Sequence, residues 1–541
     1  MTAGDSWDRG STNVGSPASV GSPASVGSPA PSWRLGELLD GIAERTPDAT
    51  ALIVGAERRR IGYAALAELV VEQCAALRRS GLRPGDVVTL RATNSIEFVV
   101  ALLAAARADL VVAPVDPALP AAERRARADR VGARVTLTDA HVPDPGASGA
   151  DCPEWRLEAL QPGTSHAKPV SHLVTGDPAR AVAAPVPGLT DRDALIMVTS
   201  GTTGTPKLVP WTHDNLAGAI AGIAAAYRLS PSDATVAAMP LFHGHGLIAT
   251  LLTTLATGGA IVLPARGRFA AHTFWDDFAT VDATWYTAVP TIHQILLDRV
   301  PIDLPGGYHD RLRFVRSCSA PLSAATAERM EATLNAPVLA AYGMTEATHQ
   351  ATSVLPSDDR RTRLHTVGTP TGVSVRIVDR DGNACPLGAT GEIWLCGPTV
   401  VRGYLDNTTA TASTFVDGWV RTGDLGSVGD DGILTVQGRI KELINRGGEK
   451  ISPEHVEEVL MSYPGVADAA VFGVPDDLYG ERVAAVIVPH NGFHVGPSDL
   501  TRYCRDRLAP FEIPERIAFA DRLPLTPKGS VDRFQVARSF R

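Results

Sequence analysis

Nine residues, Thr199-Ser200-Gly201-Thr202-Thr203-Gly204-Thr205-Pro206-Lys207, constrain this chain more than any other stretch. The apolar run Ala194–Val198 leads into them and predicts a buried parallel strand. The glycines let backbone N–H groups converge on one point, the hydroxyls add donors, and Lys207 adds a point charge. Such a stretch can wrap phosphate oxygens; a polar surface turn is the alternative. It is not the GxxxxGK[ST] loop, because Lys207 follows Pro206 and no Ser or Thr comes after it.

A chain of 541 residues implies at least two domains, one large and one small. Net charge of −9 argues against a dedicated nucleic-acid binder, which needs clustered Lys and Arg, but leaves room for a nucleotide. The cysteines (Cys74, Cys152, Cys318, Cys385, Cys396, Cys504) are scattered with no CxxC pair. That suits a reducing cytosol rather than a disulfide framework or a zinc cluster. Val99–Val115 is apolar but broken by Arg107 and Asp109, so it reads as a helix running into a strand, not a membrane span. No apolar secretory segment is present, and a cytoplasmic location is expected.

Residues 1–32 repeat Val-Gly-Ser-Pro-Ala-Ser and predict a flexible low-complexity tail. From Trp33 the texture is α/β. Leu66, Leu69, Val70, Cys74 and Leu77 share a helical face, and Asn94-Ser95 offers a cap for a helix from Ile96 to Ala108. Strand–helix alternation predicts crossover units and parallel sheets. Between about Thr366 and Val436, short strands and turns such as Asp381-Gly382 and Asp431-Gly432 predict a β-rich subdomain. After Gly438 the character changes again. Ser452-Pro453 starts a helix, Val466–Phe472 and Val483–Val488 read as strands, and Ser498 is expected to cap a helix to Leu508. The expected division is therefore 33–440 and a small α+β domain, 441–541, with the joint at Lys441.

Two further segments suggest a ligand site. Tyr342-Gly343-Met344-Thr345-Glu346 follows a strand-like run, and ligands gather at strand ends in parallel sheets. Glu346 could hold a hard cation beside phosphate oxygens, Thr345 could donate to one, and Tyr342 could stack on a purine; a surface turn is the alternative. Arg421-Thr422-Gly423-Asp424 offers a carboxylate suited to ribose hydroxyls.

With Gly438-Arg439-Ile440-Lys441-Glu442, these motifs occur in an order that resembles the adenylate-forming superfamily. That superfamily includes acyl-CoA synthetases, peptide-synthetase adenylation domains and luciferases, and the likeness runs from about residue 33 to 541. The resemblance implies activation of a carboxylic acid by ATP and Mg2+ to an acyl adenylate, then transfer to a thiol. It further implies that Thr199–Lys207 wraps the β- and γ-phosphates and that Ser319, Ala320, Pro321 and Tyr342 line the adenine pocket with Gly343 and Met344. Thr345 would contact phosphate, Glu346 would hold Mg2+, and Asp424 and Arg439 would bind ribose. Lys441 would be the hinge, and Gly447-Gly448-Glu449-Lys450 would approach the pantetheine arm of coenzyme A. Within the superfamily, Pro240–Leu247, Trp285–Pro290, Arg316–Leu322 and Tyr342–Gln350 most resemble oxalate- and short-acid CoA ligases. His243 resembles the acyl-pocket gate of that branch, with Gly343 beside it. His349 could meet a substrate carboxylate or amide, or be a helix-face histidine, and His245 is expected to pack or cap.

One departure bears on mechanism. The superfamily ends on L-P-x-T-x-x-G-K-[IV]-x-R, whose lysine reaches the α-phosphate and the acyl carboxylate. Here Leu523–Arg533 matches except that Ser530 stands at the lysine position, with Lys528 two residues earlier. The expectation is an enzyme impaired in adenylation that transfers acyl groups from an acyl adenylate, supplied by a separate adenylating enzyme, to coenzyme A. This would suit secondary metabolism. A complete ligase using Lys528 and a non-catalytic adenylate-binding protein are the alternatives.

Overall fold

The alternation of apolar strands and amphipathic helices folds into two large sheets, a β-rich layer and a separate C-terminal sheet. In this computed structural model, residues 20–21, 34–139, 141–142, 153–158, 170–175, 186–199, 206–300, 311–490, 492–526 and 531–540 are described. The first sheet has the strand order Lys207–Thr212, Asp193–Thr199, Val111–Pro114, Val87–Arg91, Ala133–Thr138, Glu154–Glu158, Val170–Thr175. Val87–Arg91 is parallel to both neighbours and buried along its whole length, as a strand covered on both faces must be. Tyr63–Arg79 and Ile96–Arg107 pack as helices, with Leu66, Leu69, Val70, Cys74 and Leu77 all in the core. Ser95 Oγ accepts from Phe98 N–H, the cap read from the sequence.

The second sheet runs Ala234–Val236, Ala260–Val262, Thr50–Val54, Arg59–Gly62. Thr284 N–H donates to Ala234 O (2.9 Å), joining it to Trp285–Ala288, Phe314–Ser317, Val338–Tyr342, Thr352–Ser353 and Thr369–Pro370. Ser374–Val378, Gly391–Cys396, Trp419–Val428 and Leu434–Arg439 form the core of the predicted β-rich layer. Val20–Gly21, inside the expected tail, lies antiparallel to Ser374–Val375, so that segment carries at least this one pairing.

The C-terminal sheet comprises Glu449–Ile451, Ile444–Arg446, Gly480–Pro489, Val466–Asp476 and Arg516–Phe519. It encloses its own core, including Ile444, Ile451, Val456, Leu460, Val471, Val483 and Leu500. Both boundaries of one helix differ from expectation, since it ends at Arg505 rather than Leu508. The helix Pro497–Arg505 starts a residue before Ser498, with Gly496 at the cap, because a proline's fixed φ suits the first helical position. Among the described residues, no helix is long and apolar enough to cross a membrane.

The phosphate-loop segment departs from a simple strand-to-helix turn. Asp193–Thr199 is parallel to Val111–Pro114 as expected, but its other neighbour is the antiparallel return strand Lys207–Thr212, with Thr199 opposite Lys207. The two strands that flank the motif therefore form an antiparallel pair. Trp211, fully buried on the return strand, donates its indole N–H to Thr345 O (2.8 Å), which ties that pair to the YGMTE turn. Trp211→Phe should remove that bond while Thr348 N–H still donates to Thr345 O (3.1 Å), at a cost of about 0.5–1.5 kcal/mol. A thermal unfolding midpoint unchanged from the parent would show that the indole bond adds nothing to stability.

Candidate active site

Three parallel strands deliver the site. Trp285–Ala288, Phe314–Ser317 and Val338–Tyr342 pair in register, so their carboxyl ends lie side by side. The segments that follow, Ser319–Pro321 and Gly343–Gln350, carry most of the candidate residues, in the place where open α/β sheets hold ligands. Ser319 adopts a left-handed φ of 73°, which turns this loop sharply away from its strand.

Tyr342 Oη–H donates to Asp424 Oδ2 (2.6 Å), and Arg439 Nε lies 3.0 Å from Asp424 Oδ1. Asp424 and Arg439 are register partners on adjacent antiparallel strands, which is why the wide sequence gap closes. Burial raises the Asp424 carboxyl above its usual range, with the Arg439 guanidinium pulling the other way. Burial, followed by the Asp424 charge, pushes the Tyr342 phenol up. Tyr342 is therefore a neutral donor, anchored by its hydroxyl.

Lys207 Nζ sits 4.4 Å from the centre of the Tyr404 ring and 3.4 Å from its hydroxyl. That hydroxyl donates to Glu346 Oε1 (2.8 Å). One tyrosine thus bridges Lys207 and the buried carboxylate of the YGMTE turn. Sequence reasoning missed Tyr404. Its only signal is an aromatic residue with a polar tip beside Gly403, outside every motif used above. Ser200, Gly201, Thr202, Thr203 and Gly204 lie outside the described residues. Among the described residues, no group of three or more His, Cys, Asp or Glu could hold a metal ion. A single carboxylate, Glu346, linked through Tyr404 to Lys207 is a donor set that Mg2+ could use, since Mg2+ keeps waters and substrate oxygens as its other ligands.

Beyond the YGMTE turn, Thr348 and His349 both adopt positive φ, 50° and 82°. The chain doubles back so tightly that a Cβ on Gly343 would lie 1.7 Å from His349 O. Gly244 fits between Trp211 and His349, where a Cβ would meet the indole at 3.0 Å and His349 Cβ at 3.4 Å. The His349 ring stacks on His245 (centroids 5.2 Å apart), so His349 is not on a helix face. His245 packs as expected and also hydrogen-bonds through both ring nitrogens, to Ser319 Oγ (3.1 Å) and Thr287 Oγ1 (2.6 Å). It opens the π-helix His245–Leu252, a form of helix frequent at functional sites. His243, immediately before Gly244, packs against Phe242.

The remaining candidates are in the C-terminal part. Gly447 (φ 62°) and Gly448 (φ 97°) form a left-handed turn between Ile444–Arg446 and Glu449–Ile451. A Cβ on Gly448 would meet open space, and Glu449 and Lys450 are exposed. Among the described residues, no hydrogen bond joins this turn to Tyr342, Glu346 or Asp424. Lys441 lies in the short turn Ile440–Glu442 between the β-rich layer and the C-terminal sheet. Lys528 and Ser530 fall outside the described residues. The segment flanking them is held by a bridge between Leu525 and Val531, and Arg533 pairs with Glu442, Glu454 and Glu457. Gly343→Ala should displace the His349 turn, since backbone rather than a movable side chain blocks the new methyl. Overpacking of this kind costs about 1–3 kcal/mol or more, so a thermal midpoint equal to the parent's would contradict the close approach.

The AMP-binding enzyme family matches residues 39–405, and the AMP-binding enzyme C-terminal domain matches residues 455–530. The chain is 40% identical over 510 residues to an oxalate–CoA ligase of Arabidopsis thaliana, covering 94% of this chain and 98% of that one. It is 34% identical over 511 residues to a sulfoacetate–CoA ligase of Cupriavidus necator, covering 93% and 97%. Among solved structures, ATP-bound MatB from Rhodopseudomonas palustris superposes with a TM-score of 0.80 at 29% identity, covering 93% of this chain and 99% of that one. With these motifs assembled on this fold, the chain belongs to the AMP-binding enzyme family, within the adenylate-forming superfamily of acyl-CoA ligases.

Proposed function

We propose that this enzyme makes an acyl-CoA thioester by way of an acyl adenylate and is specialised for the second half of that reaction. A preformed acyl adenylate, supplied by a separate adenylating enzyme, would bind with its AMP moiety against Tyr342, Asp424 and Arg439. The thiolate of coenzyme A, arriving past Gly447 and Gly448, would form the new C–S bond, and AMP would leave. The observation that carries the reading is Ser530 in place of the superfamily's lysine. Adenylation brings an anionic carboxylate onto an anionic α-phosphate, and losing one preorganised donor at such a centre typically costs about 2.7–4 kcal/mol. Thiol attack on an already activated mixed anhydride has no such requirement.

The other roles follow the same reading. Thr199–Lys207 and Thr345 would contact phosphate oxygens, Glu346 would hold Mg2+, and Ser319–Pro321 would line the adenine pocket. The joint would lie at Lys441, between domains 33–440 and 441–541. Lys528 favours the second reading, a complete ATP-dependent ligase, because in extended chain it stands only about 6–7 Å from the Ser530 position. A protein that merely binds adenylates would have no use for the open left-handed turn at Gly447-Gly448. For the acid, the relatives' names mention oxalate and sulfoacetate, both short and both bearing a second anionic group.

Acid plus ATP should release pyrophosphate slowly, while acyl adenylate plus coenzyme A should give thioester readily. Ser530→Lys should raise the first activity roughly a hundredfold or more and the second far less. Brisk adenylation by the parent enzyme, abolished by Lys528→Ala, would establish the complete ligase instead. Asp424→Ala should weaken AMP binding by about 1.5–3 kcal/mol, the worth of a charge-assisted hydrogen bond. Unchanged affinity by calorimetry would remove Asp424 from the ribose site.

A further inference from the structure

Tyr404 stands between two groups of opposite charge that do not meet. Its hydroxyl donates to Glu346 Oε1 (2.8 Å) and accepts from Lys207 Nζ (3.4 Å). Among the described residues, no ion pair joins Lys207 and Glu346 to each other or to a third group. The chain around Tyr404 explains why the hydroxyl lies there. Val401 N–H donates to Glu346 O (2.9 Å), and Leu405 N–H donates to Leu208 O (2.9 Å). The segment 401–405 is thus pinned at one end to the backbone of Glu346 and at the other to the residue after Lys207. Within it, Gly403 has a φ of 143°, and a Cβ there would lie 2.5 Å from Thr411 Cγ2. Tyr404 N–H donates to Thr411 Oγ1 (3.0 Å), and its ring packs edge-on against Phe415 (centroids 5.5 Å apart). With backbone and ring both fixed, the position of the hydroxyl is fixed too.

Packing accounts for the ring but not for its hydroxyl. Tyr404 is buried, and a phenylalanine would fill the same core position without a polar group to desolvate. Without the hydroxyl, however, an ammonium and a carboxylate would face each other across the vacated position. Only two hydrogen-bond lengths separate Nζ from Oε1, and a flexible lysine stem can close such a gap. Once paired directly, each charge would be spent on the other, and a ligand would have to break a half-buried ion pair to engage either. The phenol prevents that. Burial, and then the Glu346 charge, push its pKa up, so it is neutral. A neutral hydroxyl can accept from the ammonium and donate to the carboxylate at once, leaving both charges intact. It also occupies only one carboxylate oxygen. Oε2 of Glu346 has no hydrogen-bond partner among the described residues.

We infer that Tyr404 is a positioning residue that keeps Lys207 and Glu346 from pairing, so that the ammonium stays available to the terminal phosphates of a nucleotide and Glu346 Oε2 to the divalent cation that accompanies them. Lys207 can leave the hydroxyl for a phosphate oxygen without breaking an ion pair, while the phenol continues to hold Glu346 Oε1. The inference rests on the reading of Lys207 and Glu346 as phosphate and Mg2+ residues and adds to it the group that holds them ready. Its test is a binding measurement that requires no turnover.

The probes are ATP and AMP, each titrated calorimetrically into the whole chain with Mg2+ and with EDTA. AMP lacks the β- and γ-phosphates and serves as the control. The parent should bind ATP about tenfold or more tightly with Mg2+ than with EDTA, the scale of a charge-assisted hydrogen bond. Tyr404→Phe keeps the ring and its packing on Phe415 and should lose most of that gain while AMP affinity is unchanged. Tyr404→Met, a flexible residue that fills space differently, should lose it too and guards against a Tyr404→Phe protein that does not fold. A hydroxyl that serves only the fold would move ATP and AMP affinity together or move neither. In a Lys207→Met background no ammonium is left to collapse onto Glu346, so Tyr404→Phe should add little further loss. Additive losses would show that the phenol only orients Glu346, and would overturn the inference. A Mg2+ gain retained by both Tyr404 variants would also overturn it and leave the phosphate and Mg2+ roles standing. No Mg2+ gain in the parent would overturn those roles and the inference together. If the gain is lost as expected but acyl adenylate and coenzyme A give no thioester, the functional proposal fails while this one stands.

Discussion

The site depends on the parallel, in-register pairing of Trp285–Ala288, Phe314–Ser317 and Val338–Tyr342. Parallel strands place like ends together, so Thr287, Arg316 and the start of the YGMTE turn emerge at one edge. Close backbone packing then holds the turns that follow. Gly343 admits the carbonyl of His349, and Gly244 admits both the Trp211 ring and His349. These approaches are rigid because backbone or a fully buried indole stands on the far side. They also explain why left-handed conformations at Thr348 and His349 persist, since surrounding structure must over-determine strained backbone for it to survive.

Polar groups inside this frame are linked in chains rather than isolated. Tyr342, Asp424 and Arg439 form one chain, and Lys207, Tyr404 and Glu346 form a second. Arg316 gathers Tyr227, Thr287, His245, His349 and Gln350 into a third. Low local dielectric strengthens each link and penalises any unpaired member, so such chains fix geometry more firmly than apolar packing alone. The first two chains contain charges of both signs. The third is cationic overall.

The C-terminal part is built on the same rule at smaller scale. Its sheet encloses an apolar core of its own, while Arg533 holds Glu442, Glu454 and Glu457 together beside the segment that contains Lys528 and Ser530. Ser452 Oγ–H donates to Gln437 O (2.5 Å), a contact that spans the Lys441 turn.

Local chemistry made much of the architecture legible in the sequence. The helical face of Leu66–Leu77, the Ser95 and Ser452 caps, the glycine turns at Gly382 and Gly432 and the change of texture after Gly438 all depend on neighbours within a few residues. The order of the motifs carried the family, and the Ser530 substitution is a fact of sequence alone. Tertiary structure decided what requires distant residues to meet. The antiparallel return at Lys207, the bridge through Tyr404 and the register that pairs Asp424 with Arg439 are contacts between segments far apart in the chain. The state of His349 is the clearest case. A histidine in a sequence can donate, accept or carry charge, and it is Arg316, 33 residues away, that removes all but one of those choices by being able only to donate.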